Sequence, residues 1–164
     1  MNLYLIRHAD AVPLGEGGIE DDAERPLTDA GKAQCAALAK ALAKHGVQFD
    51  AILTSPLLRA RQTAEEILKA WTVPATHVHT CDDLALGGRR KRISRAVEDL
   101  KHDSVGLVGH QPDMCEYAAW LIGSRKVQVD LAKAGVAYIQ CADRPAKGTG
   151  TLIWLVTPVW FGAK

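Results

Sequence analysis

The sequence predicts an α/β protein with a mostly parallel central sheet and helices on both faces of that sheet. Two observations support this prediction. Short apolar runs alternate along the chain with longer segments of helical periodicity, and polar residues directly follow three of the apolar runs. Such alternation is typical of parallel strands that are connected by helices. Because the chain has 164 residues, we expect a single domain over residues 1–164.

The first half of the chain begins with an apolar run over residues 3–6, which predicts a short strand. After a polar, acidic loop, Thr28 is a good N-cap residue for a helix that runs to about His45, with Gly46 as a C-cap signal. A second strand is predicted over residues 51–54. The segment between Ile6 and Thr28 shows no regular pattern and is predicted to be a loop.

The middle of the chain continues the alternation. Ser55 and Pro56 indicate an N-cap followed by proline at the first helical position, and apolar residues at helical spacing follow to Trp71. A short strand is predicted over residues 76–79. The basic run over residues 89–92 leads into a helix with an apolar face.

The last third predicts a strand over residues 105–108, a helix that opens at Gln111 and Pro112, and a C-terminal hairpin. The two hairpin strands are predicted over residues 136–141 and 152–156, around a loop rich in proline and glycine.

Composition excludes several classes of protein. Apolar residues make up 48% and charged residues 24%, with a net charge of +1, which is ordinary for a globular domain. Such a balance does not attract nucleic acid or an anionic membrane over a long range. The longest uncharged stretch, residues 148–163, contains Pro158 and is too short to span a membrane. The four cysteines form no C-x-x-C pair, so we expect reduced thiols and a cytoplasmic location.

Polar residues collect at three predicted strand ends. Arg7 and His8 follow the first strand, Ser55 and Arg59 follow the second, and His110 follows the strand over residues 105–108. Ligands of open α/β sheets bind outside the carboxyl ends of the strands, so these side chains should share one pocket. Arginine and the N–H groups of helix N-termini bind phosphoryl oxygens well. The positive charge of Arg7 and Arg59 should also lower the pKa of His8 and keep it neutral, as a nucleophile must be.

Four sequence motifs around these residues occur together in one known family. They are Leu5-Ile6-Arg7-His8-Ala9, Arg25-Pro26-Leu27-Thr28-x-x-Gly31, Thr54-Ser55-Pro56-Leu57-x-Arg59-Ala60-x-Gln62-Thr63 and Val108-Gly109-His110. In this order they resemble the histidine phosphatase superfamily, with Ala9 where that family's R-H-G motif has glycine. The short chain looks most like the SixA-like branch of phosphohistidine phosphatases.

The resemblance implies a three-layer, phosphoglycerate-mutase-like α/β/α fold and a phosphatase that needs no metal and no cofactor. It implies that His8 is the nucleophile and forms a phosphohistidine intermediate. Arg7, Arg59 and His110 would hold the phosphoryl group, or a phosphate or sulfate ion, with Arg25 as a further contact. The family's acidic proton donor is harder to assign; Asp83 lies in about the right region, with Asp82 as its competitor.

The substrate implied by this branch is a phosphohistidine-bearing protein, such as a histidine phosphotransfer domain. The P–N bond is labile, so a missing general acid favours phosphohistidine over phosphoesters. A small-molecule phosphoester phosphatase of the same superfamily and a non-catalytic phosphohistidine-binding module remain as alternatives. No C-x5-R, G-x4-G-K-[ST] or G-x-G-x-x-G pattern occurs, which argues against thiol phosphatases and the common nucleotide loops.

Two further features are assigned ordinary structural roles. His77 and His79 resemble a metal-binding pair, but no third ligand stands at a characteristic spacing. The basic run over residues 89–92 is interpreted as a solvated helix start, with an acidic protein partner as the alternative.

Overall fold

The computed structural model describes residues 1–71, 77–124 and 126–163, and in these residues six strands form one sheet. The strands are β1 (Asn2–Arg7), β2 (Ala51–Thr54), β3 (His77–Thr80), β4 (Ser104–Gly109), β5 (Val136–Cys141) and β6 (Gly150–Val156). Their order across the sheet is β3-β2-β4-β1-β5-β6. The pairs among β3, β2, β4 and β1 are parallel, whereas β5 pairs antiparallel with both β1 and β6. The mostly parallel sheet and the C-terminal hairpin are thus confirmed.

The helices connect the strands. They are α1 (Asp29–Lys44), α2 (Leu58–Ala70), α3 (Arg90–Leu100) and α4 (Asp113–Ile122), and short 3-10 turns lie at Glu16–Gly18, Asp22–Glu24, Asp82–Leu84 and Pro158–Phe161. In the part of the chain that the structure describes, no helix is both long and apolar enough to cross a membrane.

The two faces of the sheet carry separate cores. Along β1, Tyr4 and Ile6 pack against α1 and α2, while Leu3 and Leu5 pack against α3 and α4. This alternation follows from the pleat of a strand, which sends successive side chains to opposite faces. Leu3, Leu5 and Ile6 are fully buried, and each such side chain stabilises the fold by about 1.5–3 kcal/mol. The result is the three-layer α/β/α arrangement.

Helix α1 begins where the sequence predicts. The Thr28 hydroxyl accepts a hydrogen bond from the Gly31 backbone N–H at 3.0 Å, which makes Thr28 the N-cap. Gly31 packs against the backbone that follows β1, since a Cβ at this position would lie 2.1 Å from the carbonyl oxygen of Asp10. A side chain at position 31 would therefore push α1 away from the end of β1.

Helix α2 begins later than the sequence predicts. Ser55 and Pro56 lie in the connection after β2, and the helix starts at Leu58. The hydroxyl of Ser55 accepts a hydrogen bond from the Leu57 N–H at 3.3 Å in the turn before the helix, and its Oγ also lies 2.8 Å from Nε2 of the distant His110. The Ser55 side chain therefore belongs to the site at the end of the sheet.

Helix α4 also begins later, at Asp113, with Pro112 as its N-cap residue and a cis peptide bond between Gln111 and Pro112. The strand predicted over residues 76–79 is observed as β3 over His77–Thr80, and residue 76 lies outside the described residues. The four cysteines are free and buried; burial raises the pKa of Cys35 to about 12.

Candidate active site

Three neighbouring strands end at one edge of the sheet. Strand β4 lies between β2 and β1, and the register pairs Arg7 with Gly109 and Thr54 with Val108. The segments that follow β1 and β2 stay next to the end of β4. The His8 N–H donates to the Gly109 carbonyl at 3.0 Å, and the Ser55 N–H donates to the Val108 carbonyl at 2.9 Å. The sequence prediction that these strand exits converge is confirmed.

Two histidines face each other at this edge. The ring centroids of His8 and His110 lie 5.1 Å apart with an interplanar angle of 51°. The two residues are only 7% and 2% exposed. Nδ1 of His8 lies 2.7 Å from the carbonyl oxygen of Ala9. Because a carbonyl oxygen can only accept, Nδ1 carries the proton and Nε2 of the neutral ring keeps its lone pair.

Both histidines are held neutral. The pKa of His8 is lowered to about 4, mainly by burial and in part by the charges of Arg59, Arg7 and Lys133, while the bond to the Ala9 carbonyl opposes the shift. Burial, followed by the proximity of His8 and Arg59, lowers the pKa of His110 to about 3. The direction expected for His8 is confirmed, but the main cause is loss of water around the ring, which the sequence does not show.

The arginines of the site are held by fixed acceptors. Nη1 of Arg7 donates to Oε1 of Gln111 at 2.6 Å and to the carbonyl of Leu131 at 3.1 Å. Arg59 is 3% exposed, and its Nη1 and Nη2 donate to the carbonyl and the carboxylate of Asp22 at 2.6 and 3.0 Å. These contacts restrict both guanidinium groups to one orientation each.

Arg25 joins the site through Asp22. Its Nη1 donates to Oδ1 of Asp22 at 2.8 Å, and its Nε donates to the carbonyl of Val12 at 2.7 Å. The Arg25 guanidinium, together with that of Arg59, holds the pKa of the Asp22 carboxyl below its usual value. One carboxylate thus links Arg25 to Arg59, a connection that the sequence alone does not indicate. The only sequence signal was the acidic run at residues 20–24, in which no single carboxylate stands out.

Three buried nitrogen atoms of the site have no hydrogen-bond partner among the described residues: Nε of Arg7, Nε of Arg59 and Nδ1 of His110. Leaving a buried polar group unpaired costs about 1–3 kcal/mol. These nitrogens belong to the residues that follow the three strand exits, and the ring of His110 lies 5.1 Å from the ring of His8. A bound group rich in oxygen could pair with Arg7 and Arg59, and with His110 when its Nδ1 carries the proton.

Neighbouring hydroxyls and amides fix this geometry. The Thr63 hydroxyl donates to the Arg59 carbonyl at 2.7 Å and accepts the Ala9 N–H at 3.0 Å, so α2 is tied to the segment that carries His8. Oε1 of Gln62 accepts the Leu27 N–H at 2.7 Å and holds the segment after Arg25. The motif residues around Arg59 therefore connect the parts of the site.

Ala9 is compatible with the site although the resembling family has glycine there. In the described residues, the residues other than glycine with positive φ are Lys101 and Ala134, so the backbone at Ala9 needs no glycine. The Ala9 side chain is fully buried in the core between the sheet, α1 and α2. Its methyl group thus fills core space.

Asp83 has a local partner. Its Oδ1 accepts the Arg89 backbone N–H at 3.0 Å, at the turn that leads into α3. This contact organises the loop between the 3-10 turn at Asp82–Leu84 and α3. The role of Asp83 as a proton donor, and that of its competitor Asp82, stays a prediction.

His77 and His79 lie on the exposed strand β3 with their ring centroids 6.3 Å apart. In residues 1–71, 77–124 and 126–163, no group of three or more histidine, cysteine, aspartate or glutamate side chains is arranged to hold a metal ion.

This chain is similar in sequence and structure to known phosphatases. Residues 3–116 match the model of the histidine phosphatase superfamily (branch 1). The chain is 37% identical to an uncharacterised protein of Picosynechococcus sp. over 98% of both chains. It is 25% identical to the phosphohistidine phosphatase SixA of Escherichia coli over 96% of this chain and 94% of that protein. A structure of the protein histidine phosphatase SixA complexed with tungstate superposes with a TM-score of 0.84 at 25% identity, over 97% of this chain and 98% of that chain.

A relative with another substrate is also similar. The adenosylcobalamin/alpha-ribazole phosphatase of Salmonella typhimurium is 32% identical over 73% of this chain and 52% of that protein. The relatives of this chain are therefore named for different substrates, phosphohistidine in one case and adenosylcobalamin or alpha-ribazole compounds in the other.

Proposed function

We propose that this chain, which belongs to the histidine phosphatase superfamily, is a metal-independent phosphatase that hydrolyses phosphohistidine on proteins. Its phosphoglycerate-mutase-like α/β fold is that of its SixA structural neighbours. The observation that carries the proposal is the set of three unpaired buried nitrogens, on Arg7, Arg59 and His110, beside the free Nε2 of a neutral His8. A phosphoryl group satisfies these nitrogens and presents phosphorus to the nucleophile.

The reaction follows from these positions. Nε2 of His8 attacks phosphorus in line; the new P–N bond forms as the bond from phosphorus to the substrate imidazole breaks. Arg7, Arg59 and His110 stabilise the charge on the phosphoryl oxygens, with Arg25 supporting them through Asp22. The Nδ1–H bond to the Ala9 carbonyl stabilises the positive ring of phospho-His8. Water then attacks phosphorus, which releases inorganic phosphate and restores neutral His8.

The substrate class rests on the leaving group. Imidazole leaves readily once it has taken a proton from solvent, whereas an alkoxide needs a general acid beside it. The carboxylate nearest to that role in the sequence, Asp83, is hydrogen-bonded to the Arg89 backbone, and Asp22 is engaged by two guanidinium groups. This arrangement favours cleavage of a P–N bond. The similarity to SixA of Escherichia coli supports the same class.

The test compares His8→Ala with His45→Ala, which changes an exposed histidine at the end of α1. The substrates are a chemically phosphorylated histidine phosphotransfer domain, a phosphoglycerate and a sugar phosphate. We expect the His45→Ala protein to hydrolyse the phosphohistidine domain faster than the other two substrates. It should also yield an acid-labile phosphoenzyme in a rapid-quench experiment. We expect His8→Ala to do neither, and full activity in that variant would refute the mechanism.

A second candidate is a phosphatase of small phosphoesters. The observation that favours it is the similarity to the adenosylcobalamin/alpha-ribazole phosphatase over 73% of this chain. In the same assay this candidate requires faster turnover of an ester than of the phosphohistidine domain.

A further inference from the structure

The basic run of the sequence lies at the beginning of α3. Arg89, Arg90, Lys91 and Arg92 are all exposed. Arg90 forms an ion pair with Glu116 on α4. The side chains of Arg89, Lys91 and Arg92 form no ion pair with any residue that the structure describes. Three of the four positive charges of the run are thus exposed to solvent without an ion-pair partner among the described residues.

This placement is unfavourable for the helix itself. The first turn of α3 contains no acidic residue, and its positive charges add to the positive end of the helix dipole. Positive charges in the first turn of a helix destabilise it. Apart from the ion pair of Arg90 with Glu116, no ion pair among the described residues compensates these charges, whereas an anionic partner would be attracted to them.

A groove of about 1250 Å³ extends from Arg90 and Lys91 in the basic run to Gln111, which contacts a residue of the active site. Arg90, Lys91 and Trp120 line one part of this groove, and Gln111 lines another. Gln111 is also the residue whose Oε1 accepts the hydrogen bond from Arg7 at 2.6 Å. A molecule in the groove would therefore lie against the wall of the phosphoryl site.

The size and lining of the groove suit a protein. Its volume exceeds the range of roughly 300–1,000 Å³ that is typical of small-molecule pockets. The lining combines apolar side chains such as Val127 and Val129 with the charges of Arg90, Lys91 and Lys147 and the opposite charges of Glu116 and Asp130. Protein interfaces likewise combine an apolar core with a polar rim.

We propose that this groove and the basic run of residues 89–92 form a docking surface for the acidic face of the protein that carries the phosphohistidine. The inference rests on the proposed function and names the surface of the substrate that this chain recognises. Charge complementarity brings the two proteins together, and the groove places the phosphohistidine next to Arg7. The net charge of the whole chain, +1, conceals this local field.

The test reverses two of the three unpaired charges with a Lys91→Glu/Arg92→Glu variant. The matched control, Lys40→Glu/Lys44→Glu, makes the same change of net charge at exposed positions of α1, on the other face of the sheet. The substrates are free phosphohistidine and a phosphorylated histidine phosphotransfer domain whose histidine is flanked by aspartate and glutamate.

We expect kcat/KM for the phosphorylated domain to fall at least about 10-fold in Lys91→Glu/Arg92→Glu and by less than about 2-fold in the control. Hydrolysis of free phosphohistidine should stay within about 2-fold in both variants. Raising the ionic strength from about 0.05 to 0.5 M should slow the wild-type protein on the domain more than the reversed variant. An equal loss in both variants, or no loss in either, would overturn the docking surface.

Direct binding separates this inference from the proposed function. If the wild-type chain hydrolyses neither substrate, the proposed function fails, and the affinity for the unphosphorylated acidic domain decides the docking surface. Weaker binding by Lys91→Glu/Arg92→Glu than by the control supports the surface. Equal binding refutes it.

Discussion

The carboxylate of Asp22 lies against the guanidinium of Arg59, with Oδ2 3.0 Å from Nη2. The other carboxylate oxygen, Oδ1, lies 2.8 Å from Nη1 of Arg25. One anion is therefore placed between Arg59, which we assign to phosphoryl binding, and Arg25, which supports it. An incoming phosphoryl group must share these cations with Asp22 or displace it.

Replacing Asp22 by asparagine should strengthen the binding of inorganic phosphate or tungstate. The change removes a negative charge that repels the ligand by about 1 kcal/mol at solvent-like screening, so we expect the Kd to fall about 5-fold. Isothermal titration calorimetry measures this affinity. The control is Asp21→Asn, since Asp21 accepts the Ala23 N–H and contacts no arginine among the described residues. Weaker binding by Asp22→Asn would instead mean that Asp22 mainly holds the two arginines in place.

Replacing Ser55 by alanine should impair catalysis specifically. The change leaves Nε2 of His110 without its partner at 2.8 Å, so the ring loses the contact that orients it. We expect kcat/KM to fall about 10-fold, with a loss of about 1–2 kcal/mol in the free energy of unfolding. Ser94→Ala is the matched control, because it breaks a buried hydroxyl contact with Tyr117 between α3 and α4. A similar fall in kcat/KM for both variants would remove the specific role of Ser55.

Acidification below pH 6.5 should destabilise the protein through His8 and His110. The pKa values of His8 and His110 are about 4 and 3 in the folded protein and about 6.5 in the unfolded chain. Below pH 6.5 the unfolded chain therefore binds protons that the folded protein does not, and the free energy of unfolding falls as the pH falls. For each histidine we expect a loss on the order of 1–3 kcal/mol by pH 4.

Urea denaturation at pH 7 and pH 4.5 measures this loss. His110→Gln removes one of the two titrating groups, so its stability should depend less on pH than that of the wild-type protein. An identical dependence in both proteins would show that His110 does not contribute.

Replacing Gly31 by alanine should destabilise the protein and disturb the site together. A Cβ at position 31 would lie 2.1 Å from the Asp10 carbonyl oxygen, two residues after His8. We expect a loss of about 2–3 kcal/mol in the free energy of unfolding, together with lower activity. Lys32→Ala changes the next residue of α1, which is exposed, and should have little effect. A Gly31→Ala protein of wild-type stability would contradict the close approach.

The convergence of His8, Arg59 and His110 could be predicted because it depends on topology. Parallel strands with polar residues at their carboxyl ends place those residues at one edge, whatever the details of the loops. Strand β2 and the β5–β6 hairpin were predictable for a similar reason, since their apolar patterns are local.

The interactions that depend on the path of a loop could not be predicted. Asp22 is one of several carboxylates in an acidic run, and only the folded loop brings it to Arg59. Ser55 looks like an N-cap in its local sequence, but its partner His110 is distant along the chain. Burial, the main cause of the lowered pKa of His8, is likewise a property of the whole fold.

The buried cysteines bear on how the protein responds to oxidative stress. Peroxides and alkylating agents react with exposed thiolates, whereas the thiols here are buried and burial raises the pKa of Cys35 to about 12. The proposed chemistry uses imidazole nitrogen and needs no sulfur. A phosphatase of this kind would keep removing phosphoryl groups under oxidising conditions that inactivate enzymes with a catalytic thiolate.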